Sequence, residues 1–154
     1  MATKRALYDQ LATQLSSLLA GERDLIANAA NFSSLIFHSL PDLNWAGFYF
    51  AKDGELVLGP FQGQPACVRI KIGHGVCGAG AATCETVIVP NVHEFPGHIA
   101  CDSASNSEIV VPLLKGSKLI GVLDLDSPKL GRFDREDAAG LEQLARILLS
   151  SVNS

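Results

Sequence analysis

The sequence predicts an α+β layered fold. A central, mainly antiparallel sheet of about six strands carries the N-terminal and C-terminal helices on one face and leaves a ligand pocket on the other. Three observations predict it. Apolar residues recur at helical spacing near both ends of the chain. The middle of the chain alternates with a period of two, and turn dipeptides such as Asp53-Gly54 and Gly116-Ser117 separate the alternating runs. The length of 154 residues suits one domain over 1–154 that buries its core without disulfide staples.

The first helix is expected over about Thr3–Leu19, with Leu7, Leu11, Leu15, Leu18 and Leu19 as its apolar stripe and Gly21 as its stop. A second is expected over about Arg23–Ser39, with Leu25, Ile26, Ala29, Phe32, Leu35 and Ile36 on one face and Pro41 beyond its end. Strands follow at Asn44–Phe50, Glu55–Leu58 and Ala66–Ile72. A glycine-rich segment, Gly73 to Gly80, runs into a short helix ending near Thr83, and Thr86–Val89 reads as a short strand. Pro90 to Asn106 is a long loop, a feature that in compact domains is often functional. Glu108–Leu114 and Lys118–Asp126 form a hairpin, and a last helix over Arg135–Val152 has Asp134 as its N-cap.

Composition excludes several classes. Apolar residues at 47% and charged residues at 18% describe a globular chain and not a disordered one. A net charge of -4 without a basic stripe argues against nucleic acid. The apolar runs are too short for a membrane span, and the start Met1-Ala2-Thr3-Lys4-Arg5 has no secretory pattern, so the expected location is the cytoplasm. The faces of the first and last helices could serve the core or a homodimer interface.

The four cysteines, Cys67, Cys77, Cys84 and Cys101, lack any Cys-x-x-Cys pair. In a reducing compartment they are inert core residues, metal ligands or redox-active thiols. Cys101 stands in the polar loop just after His98, where an accessible thiolate is in keeping with its surroundings, although Asp102 opposes it electrostatically. The alternative is a buried structural cysteine. Cys84, at a helix end in apolar company, is expected to be inert. His93, His98, Cys101 and Asp102 would be the ligands of a metal, but their spacing fits no established set, and no metal is expected.

Gly73-x-Gly75-x-x-Gly78 matches the dinucleotide fingerprint in letters only. The stretch between Gly78 and the strand at Thr86 is too short for the crossover helix that such a site requires. The glycines are instead expected to let the backbone turn tightly around Cys77.

Asp124 and Asp126 stand two apart on an apolar strand and so share a sheet face. Two buried like charges on one face must hold a cation or share a proton. Across a plain two-residue turn Glu108 would meet Leu125 and point away. A three-residue turn, or one bulge, for which Pro112 is the suggested cause, would bring Glu108 opposite Asp124 or Asp126. The predicted register gathers all three acids; the alternative is strand-end acids facing solvent.

Six stretches remain to be read together: Asn44-Trp45-Ala46-Gly47-Phe48-Tyr49, Cys67-Val68-Arg69-Ile70, Gly75-Val76-Cys77-Gly78, the loop Phe95 to Ser105, Ser107 to Leu113, and Ile120 to Ser127. Together they resemble the free methionine-(R)-sulfoxide reductases, a family built on the GAF domain. The resemblance covers nearly the whole chain. It implies reduction of the free amino acid methionine R-sulfoxide, with Cys101 as nucleophile and Cys77 and Cys67 in disulfide resolution; of these two, the residues themselves suggest Cys77 as resolver before Cys67, because its glycine-flanked turn can move, and the sequence leaves the order open. The resemblance also implies Glu108, Asp124 and Asp126 as active-site acids, Trp45 and Tyr49 as pocket aromatics, no bound cofactor, and thioredoxin as external reductant. His74 stands where the family usually has arginine, and Cys84 has no counterpart. The chemistry of the residues agrees: a thiolate attacks the sulfoxide sulfur, a clustered acid protonates the oxygen, and the others hold the ammonium. The competing expectation is a non-catalytic GAF sensor of a small molecule or of redox state.

Overall fold

The computed structural model describes residues 3–98 and 103–152. Helix α1, Lys4–Leu19, begins where Thr3 Oγ1 accepts the Ala6 N–H at 3.1 Å. Helix α2 covers Leu25–Ser39 and starts later than the expected Arg23. The cause is local. Glu22 takes the N–H groups of Arg23 and Asp24, and the Asp24 carboxylate then caps the Ala27 N–H. The buried face of α2 runs through Ala29, Phe32 and Ile36, which leaves Ile26 outward at 56% exposure, contrary to its expected place in the stripe.

Strand β1, Trp45–Lys52, turns at Asp53 and Gly54, both left-handed, into β2, Glu55–Gly63. β2 is longer than the expected Glu55–Leu58. Its pairing slips between Gly47 and Tyr49 of β1, and the resulting bulge lets Pro60 stay in the strand without breaking the ladder. The expected strand Ala66–Ile72 contracts to β3, Arg69–Lys71. Helix α3 spans Gly75–Thr83, so most of the glycine-rich segment is helical. Strand β4, Val87–Val89, precedes a single 3-10 turn at Val92–Glu94. Strands β5, Ser107–Lys115, and β6, Lys118–Ser127, form the hairpin. Helix α4, Arg135–Ser151, starts on a capping box between Asp134 and Asp137.

The sheet order is β3-β2-β1-β6-β5-β4, with every pairing antiparallel. Alternation along the strands makes two layers. Phe48, Ile109, Val111, Leu123 and Leu125 pack against Leu15, Phe32, Ile36 and Leu144 of α1, α2 and α4. Trp45, Tyr49, Val110 and Val122 point the other way and meet Val76 and Cys77 of α3. The terminal helices thus cover one face, as expected, and α3 partly roofs the other. Among the described residues no helix is long and apolar enough to cross a membrane.

Candidate active site

The pocket opens on the α3 side of the sheet. Its lining includes Trp45 and Tyr49 of β1, Glu108 of β5, Asp124 and Asp126 of β6, Cys77 of α3, and Ser105 and His98 of the loop. The structure therefore gathers six of the side chains expected from the sequence. Each strand contributes by period two: what points away from the helices points into the pocket.

The hairpin register brings the acids together. The turn pairs Lys115 with Lys118, the pairing then shifts between Leu113 and Leu114, and Glu108 arrives opposite Asp126. The expected gathering holds, but the bulge does not fall at Pro112, which pairs in register with Val122. The extra residue is Ile120, on the partner strand.

Glu108 and Asp124 are 7% and 5% exposed, and one carboxylate oxygen each of Asp124 and Asp126 is buried without a hydrogen-bond partner among the described residues. Burial is the first cause that raises all three carboxyls well above the usual range. Mutual repulsion is the second, from Asp126 on Glu108, from Glu108 on Asp124 and from Asp124 on Asp126. The Cys77 thiol donates to Glu108 Oε2 at 3.8 Å, and burial followed by the nearby acids holds its proton on too. Such a site cannot carry all its charges at once and keeps protons at neutral pH. It is also a cation hole. One ligand atom each of Cys77, Glu108 and Asp124 lie within 4.8 Å of one another, a set able to hold a metal ion or an ammonium group.

Two residues that sequence reasoning missed tie the loop to the acids. Ser105 Oγ donates to Asp126 Oδ2 at 3.0 Å and accepts from Asn44 Nδ2 at 3.0 Å. The signal for Ser105 was only its place shortly after Cys101 in a loop whose end returns to the sheet.

Trp45 stacks between Phe61, at 5.1 Å, and Tyr49, at 5.9 Å between ring centroids. Their polar heads reach the chain that carries Cys67. Trp45 Nε1 donates to the Gln64 carbonyl at 3.1 Å and the Tyr49 hydroxyl to the Cys67 carbonyl at 2.8 Å. Cys67 is disulfide-bonded, whereas Cys77 and Cys84 are free thiols. Cys101 and Asp102 lie outside the described residues. Cys84 differs from the expectation of apolar company: it caps α3 in the left-handed conformation, φ 56°, and its side chain is exposed. Gly78 explains the glycine motif, since a Cβ there would come within 2.6 Å of the Lys71 carbonyl. The glycines serve a close turn between β3 and α3, ahead of Cys77 and not around it as expected, because Cys77 itself lies within α3.

His93 and His98 stack edge-on at 6.3 Å between centroids, and His93 Nε2 donates to Asn106 Oδ1 at 2.8 Å. Burial, then His93, lowers the pKa of His98.

Comparison with known proteins sets this geometry in a family. The GAF domain family matches residues 5–151. Protein YtsP of Bacillus subtilis is 56% identical over 143 residues, covering 92% of this chain and 88% of the relative. The free methionine-R-sulfoxide reductase of Escherichia coli is 52% identical over 141 residues, covering 92% of this chain and 86% of the relative. The chain belongs to the free methionine-R-sulfoxide reductase family of GAF domains. A structure of the Neisseria meningitidis family member in complex with its substrate superposes with a TM-score of 0.94 at 45% identity, covering 99% of this chain and 92% of that one. The fold and family expected from the motifs are both found.

Proposed function

We propose that the protein reduces free methionine R-sulfoxide to methionine, with Cys101 as the attacking thiolate. The observation that carries this reading is the acid triad of the pocket that Trp45 also lines: Glu108 and Asp124, both buried, and the half-buried Asp126. Sulfoxide reduction by a thiolate needs a proton at the sulfoxide oxygen as the S–O bond breaks, and an acid kept neutral at pH 7 supplies it. A free amino acid brings an ammonium group, which the rest of the acid cluster can receive; a methionine inside a protein has none. Trp45 and Tyr49 offer apolar surface to the methyl and thioether.

The Cys101 thiolate attacks sulfur, a cluster acid protonates oxygen, methionine leaves, and Cys101 retains the oxygen as a sulfenic acid. A second thiol attacks the sulfenic sulfur and water departs with that thiol's proton. The two electrons gained by the sulfoxide come from the two thiols. The state of the described thiols favours Cys67 over Cys77 as resolver: Cys67 is disulfide-bonded, and the free Cys77 thiol is held protonated in a dry site. A dithiol donor of the thioredoxin type then restores both thiols by exchange, in a reducing compartment such as the cytoplasm.

The test is turnover. Purified protein with thioredoxin, thioredoxin reductase and NADPH should oxidise NADPH steadily on free methionine R-sulfoxide and not on the S-epimer. Binding of the sulfoxide without methionine release would support the sensor reading instead.

A further inference from the structure

The aromatic side chains that shape the pocket also hold the backbone that bears Cys67. Between β2 and β3 the chain has no regular structure. Its carbonyls would have no ladder partner, and three are taken up in turn. Gln64 accepts from Trp45 Nε1 at 3.1 Å, Cys67 from the Tyr49 hydroxyl at 2.8 Å, and Val68 from the Leu58 N–H at 2.9 Å. The start of the segment lies flush on Trp45: at Gly63, φ +128°, an added Cβ would sit 2.7 Å from Trp45 Cδ1 and 2.6 Å from the Asn44 carbonyl.

The two donors are aimed by stacking. Phe61, Trp45 and Tyr49 lie nearly parallel, with interplanar angles of 14° and 23°, and Trp45 and Tyr49 are each 2% exposed. A clamped ring fixes the direction of the Trp45 N–H and the place of the Tyr49 hydroxyl oxygen, whose proton turns to the acceptor within reach. Burial, followed by the field of Asp124 and Cys77, keeps the Tyr49 hydroxyl protonated, so it remains a donor at any working pH.

We propose that Trp45 and Tyr49 are positioning residues for the resolving step: through the Gln64 and Cys67 carbonyls they hold Cys67 ready to close on the oxidised Cys101. The proposal rests on the reductase reading with Cys67 as resolver. In that step the Cys67–Cys101 S–S bond forms, the S–O bond of the sulfenic acid breaks, and the hydroxide leaves as water with the Cys67 proton. No further oxidant enters. Ordering a reacting group before the step is worth much in rate, and small misplacements cost heavily.

Tyr49→Phe and Trp45→Phe each remove one donor and keep a ring in the stack. Reduced protein is mixed with one equivalent of methionine R-sulfoxide and quenched over time. Methionine release reports the first step, and loss of free Cys67 with trapping of Cys101 by dimedone reports the second. Disulfide closure should slow about tenfold in Tyr49→Phe, methionine release should slow less, and the dimedone adduct should accumulate. Trp45→Phe should show the same split. Equal slowing of both steps, or closure at the wild-type rate in both variants, overturns the proposal. Failure of the reductase reading looks different: the wild-type protein then releases no methionine. Peptide mapping of the wild-type product that found Cys101 joined to Cys77 would remove the resolver assignment, and the proposal with it.

Discussion

Glu108 stands directly opposite Asp126 across the β5–β6 ladder. A carboxyl facing a carboxyl one pair from the end of a ladder, in a pocket largely shut off from water, opposes folding, and Asp124 on the same face adds to the cost. The pocket is thus built at the expense of stability, in return for acids that hold protons near neutrality.

That cost has a pH signature. An unfolded carboxyl ionises near pH ~4, whereas these three ionise well above that in the folded chain. As pH rises through ~4 the unfolded state loses protons that the folded state keeps, so stability falls with rising pH up to the folded pKa values. Asp124→Asn removes one of these groups. Without substrate it should melt about 2–4 °C higher than wild type at pH 8, the shift that ~1 kcal/mol gives in a chain of this size, and the gain should vanish toward pH 4. Its turnover should fall at least ~100-fold if this acid is the proton donor. Melting curves across pH check the first statement.

Ser105→Ala deletes the hydroxyl that donates to Asp126 Oδ2. The expected result is a rise in KM for the free sulfoxide of about tenfold, the scale of a hydrogen bond to a charged group, with a smaller change in kcat. Steady-state kinetics at saturating reductant measure it.

Asp137 is 1% exposed and accepts from the Tyr8 hydroxyl and Lys4 Nζ, both at 2.7 Å, with Arg132 at 3.5 Å. It ties α1 to the start of α4. Asp137→Ala leaves the buried Tyr8 hydroxyl without its acceptor and takes from the Arg132 guanidinium its carboxylate, and should cost about 3–5 kcal/mol in chemical denaturation. The activity of the folded fraction should persist.

Cys84→Gly tests the opposite kind of site. The position is left-handed, exposed and away from the acids, a place where glycine is the natural cap. The variant should be more stable, by about 0.5–1 kcal/mol, and should turn over as wild type does.

Much of this was legible in the residues. The Asp53-Gly54 turn, the Asp134 cap and the shared face of Asp124 and Asp126 follow from local chemistry that tertiary contacts do not override. The register of Glu108 was legible only as a need, because three acids are useful together. Where the bulge would fall was not, since Ile120 carries no local mark. The continuation of β2 to Gly63 was hidden by Gly59 and Pro60, which end strands unless a bulge removes them from the ladder. Cys84 misled because its neighbours are apolar while its backbone turns it outward. The hydrogen bonds of Trp45 and Tyr49 to the Cys67 segment depend on strands meeting across the sheet, which no spacing in the sequence reveals.

The account depends on the acid pocket receiving the ammonium of a free amino acid while it protonates the sulfoxide. The most direct measurement is the single-turnover rate of methionine formation from free methionine R-sulfoxide against its N-acetyl derivative, with reduced wild-type protein. The account predicts that acetylation, which removes the positive charge, slows methionine formation by about 100-fold or more. Equal rates for the two compounds would contradict it.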